Sequence, residues 1–230
     1  MSFQLALGFA LKDDATFTSF YAGCNKKIVS LILDSLKGYL DNFVYLAGAA
    51  GTGKSHVLQA CCHLATEHGK SAVYIPLANH LFLTPEIFEG MENISLVCID
   101  DLDAIIGLPE WEEKIFHTYN KIKQNENVLI VAGKATPANL NIALPDLKSR
   151  LSWGLVHTLE AISDEDKIKA LQLRAHVRGF SITDLVAKFL INRCPRDMHL
   201  LFQNLEGLDK ASLEQQRKVT IPFVKEILGV

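Results

Sequence analysis

The sequence predicts an α/β fold: a parallel sheet flanked by helices and built around a phosphate-binding loop, with a small all-helical domain after it. The first observation is Gly48-Ala49-Ala50-Gly51-Thr52-Gly53-Lys54-Ser55, which follows the apolar run Phe43-Val44-Tyr45-Leu46 and precedes a helical pattern. The second is a series of short apolar runs alternating with helical stretches, as in parallel strands joined by right-handed crossovers. The third is the loss of strand signals after about residue 160. These divide the chain into a flexible tail over 1–12, an α/β domain over 13–160 and a helical domain over 161–230.

Taken in order, residues 1–12 are an apolar leader too short to pack by itself. From Asn25 to Leu40, Ile28, Leu31, Ile32 and Leu36 recur at helical spacing and predict a helix leading into the first strand. A second helix runs from the glycine-rich loop over 55–68, and Ala72-Val73-Tyr74-Ile75 reads as a buried strand. Leu96-Val97-Cys98-Ile99 is wholly apolar and ends in Asp100-Asp101, which suits a central strand with carboxylates at its carboxyl edge. A helix over 111–123 and a strand at Val128-Leu129-Ile130-Val131 complete the pattern. Beyond it, Ser163-Asp164-Glu165-Asp166 is a helix start and Gly179 a helix stop, with further helices near 183–193, 196–213 and 220–228.

The spacing of the glycine-rich loop has a physical reason. Gly48, Gly51 and Gly53 let successive N–H groups turn inward around phosphate oxygens, with Thr52 between them, and the next helix adds its positive end. Lys54 then reaches the β- and γ-phosphates, and Ser55 holds Mg²⁺. Asp100 is the expected second support for Mg²⁺, and Asp101 could orient an attacking water. The bland alternatives are a glycine-rich turn and a polar strand end. Ligands of such sheets bind at the carboxyl ends of the strands, where both motifs fall.

The 230 residues carry a net charge of −3, which gives no general attraction for nucleic acid. After residue 160 there are 11 basic and 9 acidic residues, too slight an excess to name a partner. The five cysteines are odd in number and lack metal spacing, so they read as small buried hydrophobes in a reducing cytosol. No apolar stretch approaches the roughly 20 residues of a membrane span, so a cytoplasmic protein is expected. Arg150 is the only arginine before residue 160. Its fixed fork of donors can grip phosphate oxygens from the domain surface, the plainer reading being an ion pair.

Several segments resemble the AAA+ initiator family of bacterial DnaA: Thr16-Phe17-Thr18-Ser19-Phe20, Phe116-His117-Thr118-Tyr119-Asn120, and Leu147-Lys148-Ser149-Arg150-Leu151-Ser152-Trp153-Gly154-Leu155. The likeness spans about 14–228 and stops where the initiator's DNA-binding domain begins. The leader and the ending Lys218-Val219-Thr220-Ile221-Pro222-Phe223-Val224-Lys225-Glu226-Ile227-Leu228 are similar to the Hda branch, regulatory inactivators of DnaA. The resemblance implies no sequence-specific DNA binding and no membrane contact. It implies clamp binding through Gln4, Leu5, Leu7 and Phe9, whose apolar side chains fill a pocket on the DNA polymerase sliding clamp while the Gln4 amide directs the peptide. It also implies that Arg150 acts in trans on ATP held by DnaA, while the chain's own loop holds ADP, or ATP, with Mg²⁺.

Two departures bear on hydrolysis. Ala132-Gly133-Lys134 stands where the initiator carries a Ser-Asp pair, and His199 stands at the lid position where it carries a nucleotide-binding arginine. Arg196, one helical turn earlier, offers a compensating cation. These favour a regulator over an ATP-driven helicase loader, and rank a stand-alone small-molecule kinase last. A finger arginine serves a neighbouring subunit, so a homodimer through the same surfaces is also implied.

Overall fold

The computed structural model describes residues 11–230. The tail residues Gln4, Leu5, Leu7 and Phe9 lie outside the described residues. Two compact units are present among the described residues, one formed by residues 11–17 with Asn25–Glu160, the other by Thr18–Cys24 with Ala161–Val230.

In the first unit, α1 (Lys26–Leu36) leads to β1 (Phe43–Ala47), α2 (Lys54–Glu67) and β2 (Ala72–Pro76). Three short 3-10 turns fill the way to β3 (Leu96–Asp100), followed by α3 (Pro109–Gln124) and β4 (Val128–Gly133). Then come α4 (Pro145–Ser152) and β5 (Leu155–Thr158). The sheet order is β2-β3-β4-β1-β5, and every pairing is parallel. Strands β1 and β3 are buried at all five positions, because helices cover both faces. From β1 the chain crosses over β4 and β3 to β2, whereas from β4 it crosses over β1 to β5. This reversal opens a crevice at the carboxyl ends of β1 and β4.

The expected helix over 25–40 is shorter, and ends before Gly38, whose φ is +81°. Both α4 and β5 were absent from the sequence reading. Helix α4 has only eight residues, with Leu147 and Leu151 as its buried pair, and β5 is a half-buried edge strand with polar His157 and Thr158 in four positions. Neither gives a sustained periodicity. Phe43, Tyr45, Val97, Ile99, Leu129 and Val131 pack against Trp111, Ile115, Tyr119 and Ile122 of α3 and against α4.

The second unit holds α5 (Asp164–Val177), α6 (Asp184–Arg193), α7 (Met198–Gln215) and α8 (Ile221–Leu228). Each begins at a side-chain cap, and Ser163, Thr183, Asp197 and Thr220 accept from backbone N–H groups of the first turns. Such a cap contributes about 1 kcal/mol. Leu171, Leu190, Leu201, Leu205, Leu208 and Phe223 fill the core. The segment Thr18–Cys24 joins this unit, where the Tyr21 hydroxyl donates to Asp166 Oδ1 at 3.0 Å. One cysteine departs from expectation: Cys61, Cys62, Cys98 and Cys194 are buried, but Cys24 is exposed, because it lies in the turn leading into α1.

Candidate functional site

The 48–55 loop leaves β1 at its carboxyl end. Gly48 N donates to Gly133 O at 3.2 Å, which ties the start of the loop to the end of β4. A side chain at Gly48 would put its Cβ 2.8 Å from both Leu159 O and Thr52 Oγ1. Gly51 and Gly53 have φ of +77° and +96°, values that L side chains rarely adopt, so the loop requires glycine there. Thr52 Oγ1 donates to Ala49 O at 2.9 Å. Lys54 is buried, and its ammonium donates to Gly48 O at 2.6 Å and Ala49 O at 2.9 Å. Burial lowers its pKa, opposed by the carboxylates of Asp100, Asp101 and Asp103. Ser55 follows, exposed in the first turn of α2.

Asp100 ends β3 and is fully buried. Its Oδ2 accepts from the Tyr74 hydroxyl at 2.8 Å and its Oδ1 from Asp101 N at 2.9 Å. Burial and this carboxylate push the Tyr74 phenol pKa up. Asp101 has φ +54° and ψ +45°, an uncommon conformation for a residue other than glycine. Burial, then Asp100 and Asp103, raise its pKa, while Lys54 and Lys134 work against the rise.

The structure thus gathers Lys54, Asp100 and Asp101 at one edge of the sheet, and adds Asp103 and Lys134. Lys134 follows β4, and its Nζ lies 2.8 Å from Asp103 Oδ2 while its N donates to Asp103 Oδ1 at 2.8 Å. Burial pushes the Asp103 carboxyl up, but both Lys134 contacts outweigh it and leave the pKa low. Asp103 was missed in the sequence, where it is one more acid after the Asp pair. Gly133 before it is a close approach, because a Cβ there would fall on the Tyr45 hydroxyl, which donates to Ala135 O at 2.9 Å.

Chemically, the loop amides, the positive end of α2 and Lys54 suit phosphate oxygens. The Ser55 hydroxyl and Asp100 are hard oxygen donors of the kind Mg²⁺ takes. Among the described residues no group of three His, Cys, Asp or Glu side chains could hold a metal alone. Asp100 is fully buried and forms no ion pair among the described residues.

Arg150 occupies a different place. It lies on the last turn of α4, its guanidinium 5.7 Å from the centre of the Trp153 ring, which is 65% exposed. Among the described residues it forms no ion pair, contrary to the plainer sequence reading. The next turn packs on the start of β1, where a Cβ at Gly154 would lie 2.9 Å from Phe43 Cδ1. Phe43 opens β1 and the phosphate loop follows Ala47 at its close, so the residue after α4 packs at the end of β1 away from the loop. Strand β1 spans about 13 Å between Phe43 and Ala47.

In the second unit, Arg196 pairs with Asp164 at 3.2 Å. It precedes the N-cap Asp197 of α7, so it is not a helical turn before His199, because the Asp197 side chain starts the helix by accepting from His199 N and Leu200 N. His199 is exposed, with Nε2 3.0 Å from Gln203 Nε2.

A family model of the bacterial DnaA ATPase domain matches residues 11–158. The chain belongs to the bacterial DnaA ATPase-domain family. A model of the Hda lid domain matches residues 164–228 of this DnaA-related chain. Among solved structures, domain III of the replication initiation protein DnaA from Thermotoga maritima is similar over 96% of this chain and 98% of its own, with a TM-score of 0.81 at 21% identity. AMPPCP-bound DnaA from Aquifex aeolicus matches over 90% of this chain and 70% of its own, with a TM-score of 0.69 at 20% identity. The RuvB Holliday junction branch migration motor of Thermotoga maritima matches at a TM-score of 0.63 and 15% identity, over 89% and 67%. At these identities the likeness is one of fold, and it agrees with a DnaA-like AAA+ sheet carrying a helical lid. Among the described residues no helix is long and apolar enough to cross a membrane.

Proposed function

We propose that this chain is a nucleotide-binding regulator of replication initiation that acts on the initiator DnaA in the cytoplasm. Its own loop binds ADP or ATP through Gly48, Gly51, Thr52, Gly53 and Lys54, with Mg²⁺ on Ser55 and Asp100 and lid contacts from Arg196 and His199. Gln4, Leu5, Leu7 and Phe9 dock on the sliding clamp. Arg150 enters the nucleotide site of ATP-bound DnaA and converts it to the ADP form.

The observation that carries this reading is Arg150 itself. Its guanidinium has no carboxylate partner among the described residues and lies beside an exposed tryptophan on the last turn of α4. A guanidinium supplied in trans as charge shifts in the transition state is worth roughly 10³–10⁵ in rate. Support also comes from the match of the lid to that of Hda.

The test is phosphate release from ATP-loaded DnaA with primed DNA and loaded clamp, on adding this protein with ADP. Stimulation that needs both this protein and the clamp, and that Arg150→Ala abolishes, is expected. Stimulation that survives Arg150→Ala would overturn the assignment. The intact loop with Asp100 and Asp101 favours one second reading, an ATP-driven helicase loader or remodelling ATPase. Turnover by this chain alone, raised by helicase and lost in Lys54→Ala, would move the function there.

A further inference from the structure

Helix α4 ends in a turn that sets Trp153 against Arg150. Trp153 N donates to Arg150 O at 3.1 Å. A bond between residues three apart closes a 3-10 turn, in which the side chains at the two positions stand in line. The backbone on either side of the indole is anchored. Leu151 is fully buried, and Gly154, at φ +100°, is pressed so close to β1 that a Cβ on it would come within 2.9 Å of Phe43 Cδ1 and 3.1 Å of Phe43 O. Phe43 is held in turn, edge-on to the Tyr119 ring with centroids 4.9 Å apart. The indole therefore has a firm base although most of it faces water.

The carboxylate that Arg150 leaves alone is as informative. Asp146 stands four residues earlier on the same helix, the spacing at which acid and base commonly pair. The two form no ion pair among the described residues, and the guanidinium of the half-buried Arg150 lies over the indole instead. A carboxylate would occupy N–H donors and offset the charge. An aromatic face attracts the cation through its quadrupole and takes none of the donors, which point outward in the guanidinium plane.

We propose that Trp153 is a positioning residue for Arg150, a shelf that keeps the guanidinium off Asp146 and aligned for the phosphate of another chain. The proposal rests on the reading of Arg150 as an arginine that acts in trans, and adds the device that holds it ready. A long side chain already laid on a ring loses less rotamer freedom when it engages its target. Because Arg150 acts on charge that develops in the transition state, loss of the shelf lowers the maximal rate and leaves the association of the two chains in place. For a cation–π contact that becomes desolvated on docking, the loss is about tenfold.

The experiment is phosphate release from ATP-loaded DnaA with primed DNA and loaded clamp, at a series of concentrations of the full chain, so that maximal rate and half-saturating concentration are read separately. Trp153→Leu is expected to lower the maximal rate about tenfold with the half-saturating concentration within about twofold of the wild type. Trp153→Phe, which restores an aromatic face, should keep most of the rate. Adding Asp146→Asn to Trp153→Leu should recover about twofold, since no carboxylate is left to capture the guanidinium. NMR of the chain alone reads the contact directly: the ring current should displace the Arg150 δ-methylene signals in the wild type and Trp153→Phe, and not in Trp153→Leu, and the same spectra show that each variant is folded. Equal maximal rates in the wild type and Trp153→Leu would overturn the shelf, as would Arg150 signals that ignore the loss of the ring. A raised half-saturating concentration at unchanged maximal rate would make Trp153 a docking contact and overturn the positioning role. No recovery with Asp146→Asn would overturn the part given to Asp146. A wild type that stimulates no hydrolysis would overturn the trans reading itself, and the positioning role with it; the NMR displacement tells this case from failure of the shelf.

Discussion

Glu112→Gln tests how the surface bearing Arg150 is held. Glu112 is fully buried in the first turns of α3, and its carboxylate accepts three backbone N–H groups: Gly107 at 2.8 Å and Ala143 at 3.2 Å on Oε1, and Leu144 at 2.7 Å on Oε2. Leu144 is the residue from which α4 starts. Glutamine can accept from Gly107 and Ala143 with its one oxygen, but its amide then faces the Leu144 N–H, donor against donor. One charge-assisted bond is lost and a buried N–H is left unsatisfied, a cost of about 2–4 kcal/mol. The assay is urea denaturation at pH 7 beside Glu113→Gln, whose side chain is 71% exposed and should change stability by less than about 0.5 kcal/mol. The midpoint of Glu112→Gln should fall with the slope unchanged. A loss below about 1 kcal/mol, or one equal to that of Glu113→Gln, would refute the reasoning that this carboxylate fastens α4.

Gly133→Ala should destabilise by about 2–4 kcal/mol because its Cβ would meet the Tyr45 hydroxyl; pairing it with Tyr45→Phe should recover part of the loss in a double-mutant cycle. Asp101 has a folded pKa raised by burial, Asp100 and Asp103, so its ionised form opposes folding at neutral pH, and the penalty is relieved as pH falls through the raised folded value. Asp101→Asn should therefore raise the melting temperature at pH 7, by up to about 1 kcal/mol in stability, with the gain vanishing in acid; thermal melts from pH 7 to pH 3 check this. Lys54→Ala should reduce ADP affinity at least about tenfold in calorimetry. Arg150→Lys should leave nucleotide binding intact yet recover little of the stimulated hydrolysis in DnaA, since an ammonium lacks the fork.

The sequence by itself determined the phosphate-loop sheet and the helical character of the second unit. Three buried strands and the Asp pair were legible because a strand covered on both faces must be a continuous apolar run; β2, expected to be buried, is an edge strand with Ala72, Val73 and Tyr74 half-buried. The 48–55 loop was legible because backbone that wraps phosphate tolerates few residues other than glycine. Only tertiary structure decided the rest. Helix α4 and strand β5 are too short to declare a period, and they exist because Leu147 and Leu151 find the α3 side of the sheet and β5 finds the edge of β1. Asp103 and Glu112 gained their roles from partners 31 residues away, Lys134 and Ala143, which no local pattern encodes. Likewise the packing of the turn after Arg150 follows from which end of β1 the chain reaches after α4. Local periodicity records what each segment buries, whereas the meeting of distant segments is fixed only when the sheet closes its order.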